Sequence, residues 1–356
     1  MQPHDIIDLT AADSGQDDGD SAVEPAAQQL QPQQPQQPPR GGRGSGSAAE
    51  PSSSHARRNP RHRRLQMIKD FFRERAIATG LHADSTHYGT EQLATAIAAA
   101  SSSSSSTVLC NRSTLLFNTT MADRGWACGY RNCQMLISSV MQSVHGSSLG
   151  ALLVPPRMPA ERVPPVRELQ EMLELSWRDG FDCDGADQLD HRVMGTRKWI
   201  GTTEIYCILA HLGVRAHIVD FHCPTAPDRS HPALFSWIIE YFTAAPPPAL
   251  LAGDQADDSL AGEAAGSGGA VRFAARHPLY LQHQGHSRTV VGVELADDAT
   301  YLLVFDPDVN AAANPARFRM PIARTRGTRQ FQILYVDHAD CCPPAVPKQI
   351  VSRRIP

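Results

Sequence analysis

Three stretches of this chain are too polar to fold by themselves, and they limit what the rest can build. Residues 1–62 run through "QPQQPQQPP" and "GGRGSGSAAEPSSS" with scattered acids and almost no aliphatic clusters. "AAASSSSSST" (98–107) and "TAAPPPALLAGDQADDSLAGEAAGSGGA" (243–270) are of the same kind. Such segments bury too little apolar surface to offset their chain entropy, so disorder is predicted for them. What remains of the 356 residues is a core over 108–342 interrupted at 243–270, enough for one ordinary domain. Closing a long flexible loop costs little extra, so 243–270 reads as an insertion within that domain. Residues 63–107 read as a helix followed by a low-complexity linker, 1–62 as a tail, and 343–356 as a C-terminal tail.

Formal charge is −4 with no broad basic surface, so nucleic acid is not expected as a partner. The short run "RRNPRHRR" (57–64) reads as solvated linker or an import signal. No run of eighteen apolar residues exists, so no membrane span is expected. "MQPHDIIDLT" has no basic region followed by an apolar one, which argues against secretion and for cytoplasm or nucleus. The cysteines at 110, 128, 133, 183, 207, 223, 341 and 342 follow no scaffold spacing. They are expected to be reduced, and a special one among them to be reactive instead of bridged. Adjacent Cys341 and Cys342 with His338 make a poor tetrahedral set, so neither a metal nor another cofactor is expected.

Helical spacing dominates the first half. Leu65, Ile68, Phe71, Phe72 and Ala76 form a stripe within 63–82 that Gly80 ends. Past Cys128, apolar residues recur at 133, 136, 137, 140, 141 and 144, predicting a helix with one face inward. "VRELQEMLELSW" (166–177) and "TEIYCILAHLG" (203–213) are two more helices. "STLLFNTT" and "VRAHIVDFH" read as strands, and "LFSWIIEYF" fits either a helix or a strand. The second half supplies "PLYLQHQGHSRTVVGVEL", "TYLLVFDP" and "RQFQILYV", rich in β-branched and aromatic residues. The order predicts an α+β fold, helical first and an antiparallel sheet second.

Within this frame the stretch "DRGWACGYRNCQMLISSV" (123–140) stands out. A cysteine just before a helix sits near unpaired N–H groups and the positive end of the dipole, which favours thiolate. Cys128 is thus a candidate nucleophile, with the buried turn cysteine as the plain alternative. Gly129 permits close backbone approach, and Trp126 and Tyr130 are candidate walls against water. A nucleophilic thiol needs a base, and "QHQGH" offers His286. On a continuous strand Gln282, Gln284 and His286 would share a face, bringing two carboxamide donors to the imidazole. The turn "DDAT" predicts a hairpin in which Leu295 opposes about Thr300, so one bulge carries Asp306 to His286, with Asp308 as backup. Pro307 ends the ladder there. The order Cys, His, Asp is that of papain-like proteases.

"DRGWACGYRNCQMLISSV", "KWIGTTEI", "PLYLQHQGHSRTVVGVE" and "LLVFDP" together resemble the zinc-finger-containing ubiquitin peptidase branch of the ubiquitin-fold-modifier-protease superfamily, over roughly 108–340. The resemblance implies a papain-like cysteine peptidase that cleaves isopeptide bonds in ubiquitin chains. It implies Cys128 as nucleophile, His286 as base, Asp306 as its orienter, and Gln282 over Gln284 as oxyanion donor. Two positions depart from the pattern. Ala127 stands where the family carries glycine, and no zinc-finger pairs precede the domain. The sister branch takes its histidine from Asp-Pro-His, whereas this chain reads Asp306-Pro307-Asp308.

The implied partner is ubiquitin or polyubiquitin. Trp126 and Trp199 are candidate walls for a slot that admits only Gly-Gly, with Asp187, Asp190 and Glu204 as candidate partners for the tail arginines. "DIIDLT" (5–10) resembles a SUMO-interacting motif that would add a strand to its partner's sheet. Two competing readings are a protease of the ubiquitin-fold modifier or a similar protein, and a ubiquitin-binding protein without catalysis.

Overall fold

In the computed structural model the described residues are 88–100, 105–145, 162–244, 270–309, 314–336 and 346–355. The 5–10 motif, the basic run at 57–64, the helix predicted over 63–82, Cys341, Cys342, His338 and the body of the 243–270 insertion lie outside them.

Helix α1 (Thr90–Ala100) leads into strand β1 (Ser106–Leu109). Helices α2 (Cys128–His145), α3 (Val166–Arg178), α4 (Cys183–Gln188) and α5 (Thr202–His211) follow. Strand β2 (Ala216–Phe221) precedes α6 (Pro232–Thr243), the segment that fitted either class; Pro232 at its first turn suits a helix start. Then come β3 (Val271–Phe273), β4 (Leu279–His283), β5 (His286–Leu295), β6 (Thr300–Phe305), β7 (Arg319–Pro321), β8 (Phe331–Val336) and β9 (Ser352–Ile355). The α+β order is as read from the sequence.

The sheet runs β3-β1-β5-β4-β8-β2-β9, with β6 on β5 and β7 on β6. It is antiparallel through its middle, but β1–β3 and β2–β9 are parallel pairs on its flanks, which a purely antiparallel reading did not anticipate. Strand β9 also corrects the C-terminal tail: residues 352–355 extend the sheet along β2, with Ser352 Oγ donating to Asp220. At the other end, α1 and β1 begin the ordered body before residue 108, because Leu93 and Ile97 bury into the same core as Leu109. "STLLFNTT" forms no strand beyond an isolated bridge, Gly89–Leu115. Its polar end bonds instead to the loop after β6, through Thr119 N–H to Pro307 O (2.8 Å).

Helix α2 lies between two cores. Cys133, Leu136, Ile137 and Val140 pack with Leu169 and Leu173 of α3 and Ile205 and Ile208 of α5. Met135 joins the opposite cluster with Leu279, Leu281 and Val290 of the sheet. From Gly129 to Met141 every residue is buried, so the helix is enclosed on all sides and not, as its spacing suggested, on one face. Its polar residues are bonded inward: Gln134 to Pro164 O (2.8 Å), and Ser138 from Leu115 N–H (3.0 Å). A buried polar side chain without such a partner would cost about 1–3 kcal/mol. No helix among the described residues is long and apolar enough to cross a membrane.

Candidate active site

The turn before α2 is built around one buried carboxylate. Asp123 accepts from Thr120 N–H (2.5 Å) and Thr120 Oγ1 (3.0 Å), and pairs with Arg131 inside the helix. Its own carbonyl takes the Ala127 N–H at 3.1 Å. Both side chains of the ion pair are nearly sealed from water, at 9% and 2% exposure. Breaking such a pair from one side strands the other charge. The turn therefore delivers Cys128 to the first position of α2 in a set place. Gly129 is needed for close approach and not for unusual torsions: a Cβ there would lie 2.7 Å from the Ile200 carbonyl oxygen. Ala127, where the family pattern carries glycine, is fully buried and is not among the positive-φ residues, so its methyl meets no backbone strain.

Opposite this helix start stands the β4–β5 hairpin. The pattern Gln282, Gln284, His286 does not alternate along one strand, because Gln284 and Gly285 (φ 80°) form a two-residue turn. Gln-Gly at a hairpin tip resembles the turns that demand a left-handed residue. His286 is therefore paired across the turn with His283, and Gln282 with Ser287. Gln284 is exposed at the tip; Gln282 is 2% exposed on the face shared with Ser287. Of the two carboxamides only Gln282 is buried, paired with the Ser287 that bonds Asn132 of α2.

The β5–β6 hairpin follows the predicted register. Leu295 faces Thr300, and a bulge between Val290 and Gly292 shifts the ladder toward Thr289–Phe305. Asp306, next after Phe305, thereby reaches His286: Nε2–H donates to Oδ1 at 3.0 Å and Oδ2 at 3.1 Å. Arg288 Nε donates to Asp306 Oδ2 (2.8 Å) and Asp308 N–H to Oδ1 (3.1 Å), so the carboxylate is held from three sides. Asp308 itself is a more distant acid, 4.0 Å from His286 Nδ1, and accepts from Thr119 Oγ1 at 2.6 Å.

Cys128 and His286 act on each other, the imidazole holding the thiol down and the thiol holding the imidazole up, which completes the line thiol, imidazole, carboxylate. Burial acts against every charge in it. It pushes the Cys128 thiol up, but hydrogen bonds from His286 and Ser287 and the imidazole's charge outweigh it, and the net shift is downward. Burial likewise opposes the imidazolium, yet Asp306 and Cys128 raise His286 to about 9. Asp306, despite its own burial, is held down to about 2 by His286 and Arg288. Both shifts move the pair toward thiolate beside imidazolium. His283 shows the contrast: burial and the Arg288 charge lower it to about 4, so it accepts from Arg288 Nη1 (2.9 Å) as a neutral ring.

His286, Asp306 and Asp308 also bring three possible ligand atoms within 4.8 Å of one another. Here the imidazole already serves Asp306 and Cys128, and Arg288 adds a positive charge to the same carboxylate. The arrangement suits an ion-pair network better than a cation site.

The remaining sequence candidates sort by exposure. Trp126 is half-buried and meets Tyr130 edge-on at 5.9 Å, but Tyr130 is fully buried in the core and faces no solvent. Trp199 is half-buried. Asp187 and Asp190 are exposed, paired with His191 (2.7 Å) and Lys198 (2.9 Å). Glu204 is 1% exposed and accepts the Gly201 N–H at 2.7 Å, capping α5; burial lifts its carboxyl to about 7. It is placed for a helix end and not for an arginine from outside. Four contacts went unread in the sequence: Arg288, Ser287, Asn132 and Tyr280. Asn132, four residues after Cys128, was discoverable by helical spacing; the other three needed the hairpin register.

A thiol opening a buried helix, with imidazole and carboxylate delivered by the facing sheet, is the layout of papain-like cysteine peptidases. Residues 103–334 match the model of peptidase family C78, and the chain belongs to that family. It is 41% identical over 193 residues to zinc finger-containing ubiquitin peptidase 1 of Macaca fascicularis, covering 54% of this chain and 28% of that protein. The Mus musculus counterpart is 42% identical over the same length, covering 29% of that protein. Ubiquitin carboxyl-terminal hydrolase mug105 of Schizosaccharomyces pombe is 31% identical over 197 residues, 54% of this chain and 64% of that protein. The chain thus spans less than a third of the first two relatives' length.

Proposed function

We propose that this protein is a cysteine isopeptidase that hydrolyses the bond after the C-terminal glycine of ubiquitin in conjugates or chains. The observation carrying this reading is that one imidazole, His286, hydrogen-bonds the carboxylate of Asp306 and holds down the helix-start thiol of Cys128. The names of the C78 relatives point to ubiquitin as the modifier. In the reaction, the Cys128 thiolate attacks the glycine carbonyl. The oxyanion is held by Gln282 and by a backbone N–H of the first turn of α2, which has no partner within the helix. His286 protonates the departing lysine amine, leaving a thioester. It then takes a proton from water for hydrolysis, while Asp306 keeps the ring oriented.

A ubiquitin whose C-terminus carries an electrophile should label the wild type and not Cys128→Ala. No labelling of wild type, or equal labelling of both, rejects the reading. The same probe built on the ubiquitin-fold modifier should label far more slowly; this chain lacks a histidine after Pro307 and draws its base from β5. Two finer parts of the reading concern other regions. Six described cysteines are free, which suits a reducing compartment, cytoplasm or nucleus. The 5–10 segment is proposed to bind SUMO, tested by loss of SUMO pull-down when Ile6 and Ile7 become alanine.

A further inference from the structure

Beneath the thiol and the imidazole runs a buried chain of polar side chains of which the reaction above uses only Gln282. Its direction follows from counting protons. The Asn132 amide gives both N–H groups away, to Cys128 O (2.8 Å) and to Ser287 Oγ (3.0 Å), while its oxygen accepts from Thr289 Oγ1 (2.7 Å). Ser287 Oγ is therefore an acceptor toward Asn132, and its single proton is left to point elsewhere. Two groups lie within its reach: the Cys128 thiol and the Tyr280 phenol. Tyr280 spends its own proton on Gln282 Oε1 at 2.6 Å. Gln282 Nε2 then donates to the His283 carbonyl at 2.8 Å, which settles the amide orientation, since a flipped amide would set oxygen against oxygen. One N–H of Gln282 remains to be given, and Gln282 pairs across the hairpin with Ser287, the neighbour of Cys128.

Every member is sealed. Asn132, Tyr280, Ser287 and Thr289 are all 0% exposed, and Gln282 2%. Tyr280 also belongs to the core that contains Ala127 and Tyr130 of the nucleophile turn. Most buried hydroxyls are hydrogen-bonded, and that of Tyr280 is spent on Gln282 at 2.6 Å.

We propose that Tyr280 is a positioning residue for the oxyanion site: its hydroxyl, set by Ser287 and Asn132, locks the Gln282 amide with its free N–H on the side of the Cys128 thiol. The inference rests on the reading of Gln282 as oxyanion donor. Without the phenol, Gln282 can rotate its oxygen toward the developing negative charge, where it repels instead of stabilising. The same relay ties helix α2 to strand β5, so the thiol, the amide and the imidazole move as one body.

The test uses ubiquitin bearing a fluorogenic amide on its C-terminal glycine, with the full chain as wild type, Tyr280→Phe, Gln282→Ala and the double variant. Gln282→Ala should lower kcat by about 100-fold, the usual loss for an oxyanion donor. Tyr280→Phe, which keeps the ring, should lower kcat by roughly tenfold with KM unchanged, as misplaced groups do. The double variant should be no slower than Gln282→Ala alone. If Gln282→Ala retains full kcat, the oxyanion reading fails and the inference with it. If Gln282→Ala is slow while Tyr280→Phe matches wild type, only the inference fails. Losses that multiply in the double variant also overturn it, since they mark a general structural effect. Should Tyr280→Phe not fold, as judged by its melting temperature, Thr289→Val tests the relay from its far end through Asn132, with the same non-additivity against Gln282→Ala required.

Discussion

Cys128 and Cys133 lie five residues apart on one helix, in one protein interior, and their thiols behave oppositely. Cys133 is fully buried among Leu136, Leu173 and Ile205, and burial alone drives its thiol far up, out of reach of physiological ionisation. Cys128 is also enclosed, yet its thiol is shifted down because His286 and Ser287 stand across from it. Cys110, pushed up to about 12 by burial with Thr114 and a backbone hydrogen bond as modest counterweights, behaves like Cys133. Position on a helix and depth of burial do not make a nucleophile. The partner strand does, by placing a cation and donors where an anion would otherwise be expelled.

The largest expected effect would break this contrast outright. Cys128→Ala should abolish hydrolysis of ubiquitin amides, a loss above about 1,000-fold. Cys133→Ala should stay within a few-fold of wild type while losing roughly 1 kcal/mol of stability from the emptied core. Comparable losses of turnover in both variants, measured by steady-state kinetics, would erase the distinction.

Next come the groups that single out Cys128. His286→Ala should cost about 1,000-fold in kcat with a folded protein, by circular dichroism. Asp306→Asn should cost less, about 10–100-fold, since an amide oxygen can still accept from His286 Nε2. Full activity in His286→Ala would remove the base from the scheme.

A third test moves the turn and leaves the chemistry in place. Asp123→Ala strands Arg131 at 2% exposure and should destabilise by about 3 kcal/mol in urea unfolding. Gly129→Ala drives a methyl into the Ile200 carbonyl and should cost about 2 kcal/mol, with activity falling as Cys128 is displaced. Stabilities within about 0.5 kcal/mol of wild type for both would show that the turn tolerates slack.

The smallest effects sharpen the comparison through pH. Alkylation of Cys128 by iodoacetamide should follow its lowered acid limb and change again as His286 loses its proton near 9, whereas Cys133 should stay unreactive. The stability link has a defined sign. His286 is raised above its free value of 6.5, so its contribution is complete below that pH and disappears as pH rises through about 9. Asp306 is depressed below 3.8, so its share is present above that value and is lost as pH falls through about 2. The melting temperatures of wild type and His286→Ala should accordingly draw together above pH 9. A constant gap from pH 6 to 10 would disconnect the imidazolium from folding.

Much of the site was legible because its residues announce local chemistry. A cysteine at a helix start, a histidine in a glycine-interrupted strand and an aspartate closing a strand before proline each carry a local signature, and "DDAT" gave the β5–β6 register. The Gln282–Gln284–His286 face was misread because alternation assumes an unbroken strand, and the turn at Gly285 reverses which side His286 takes. The polar side of α2 was misread for a related reason. Helical spacing distinguishes apolar from polar positions, but it cannot tell a polar side that meets water from one that meets Asp123, Pro164 and Ser287. Strand β9 had no pattern strong enough to be recognised, and it owes its place to the open edge of β2.

The chain alone therefore settled which atoms are capable of the chemistry, because helix starts, turns and strand ends are written in neighbouring residues. Only the folded molecule decided that the Cys128 thiol is shifted down and the Cys133 thiol up, that Gln282 is buried and Gln284 exposed, and that Glu204 caps a helix. The first of these depends on Cys128 and His286, far apart in sequence, meeting in a medium from which water is excluded, where each charge survives only beside its partner.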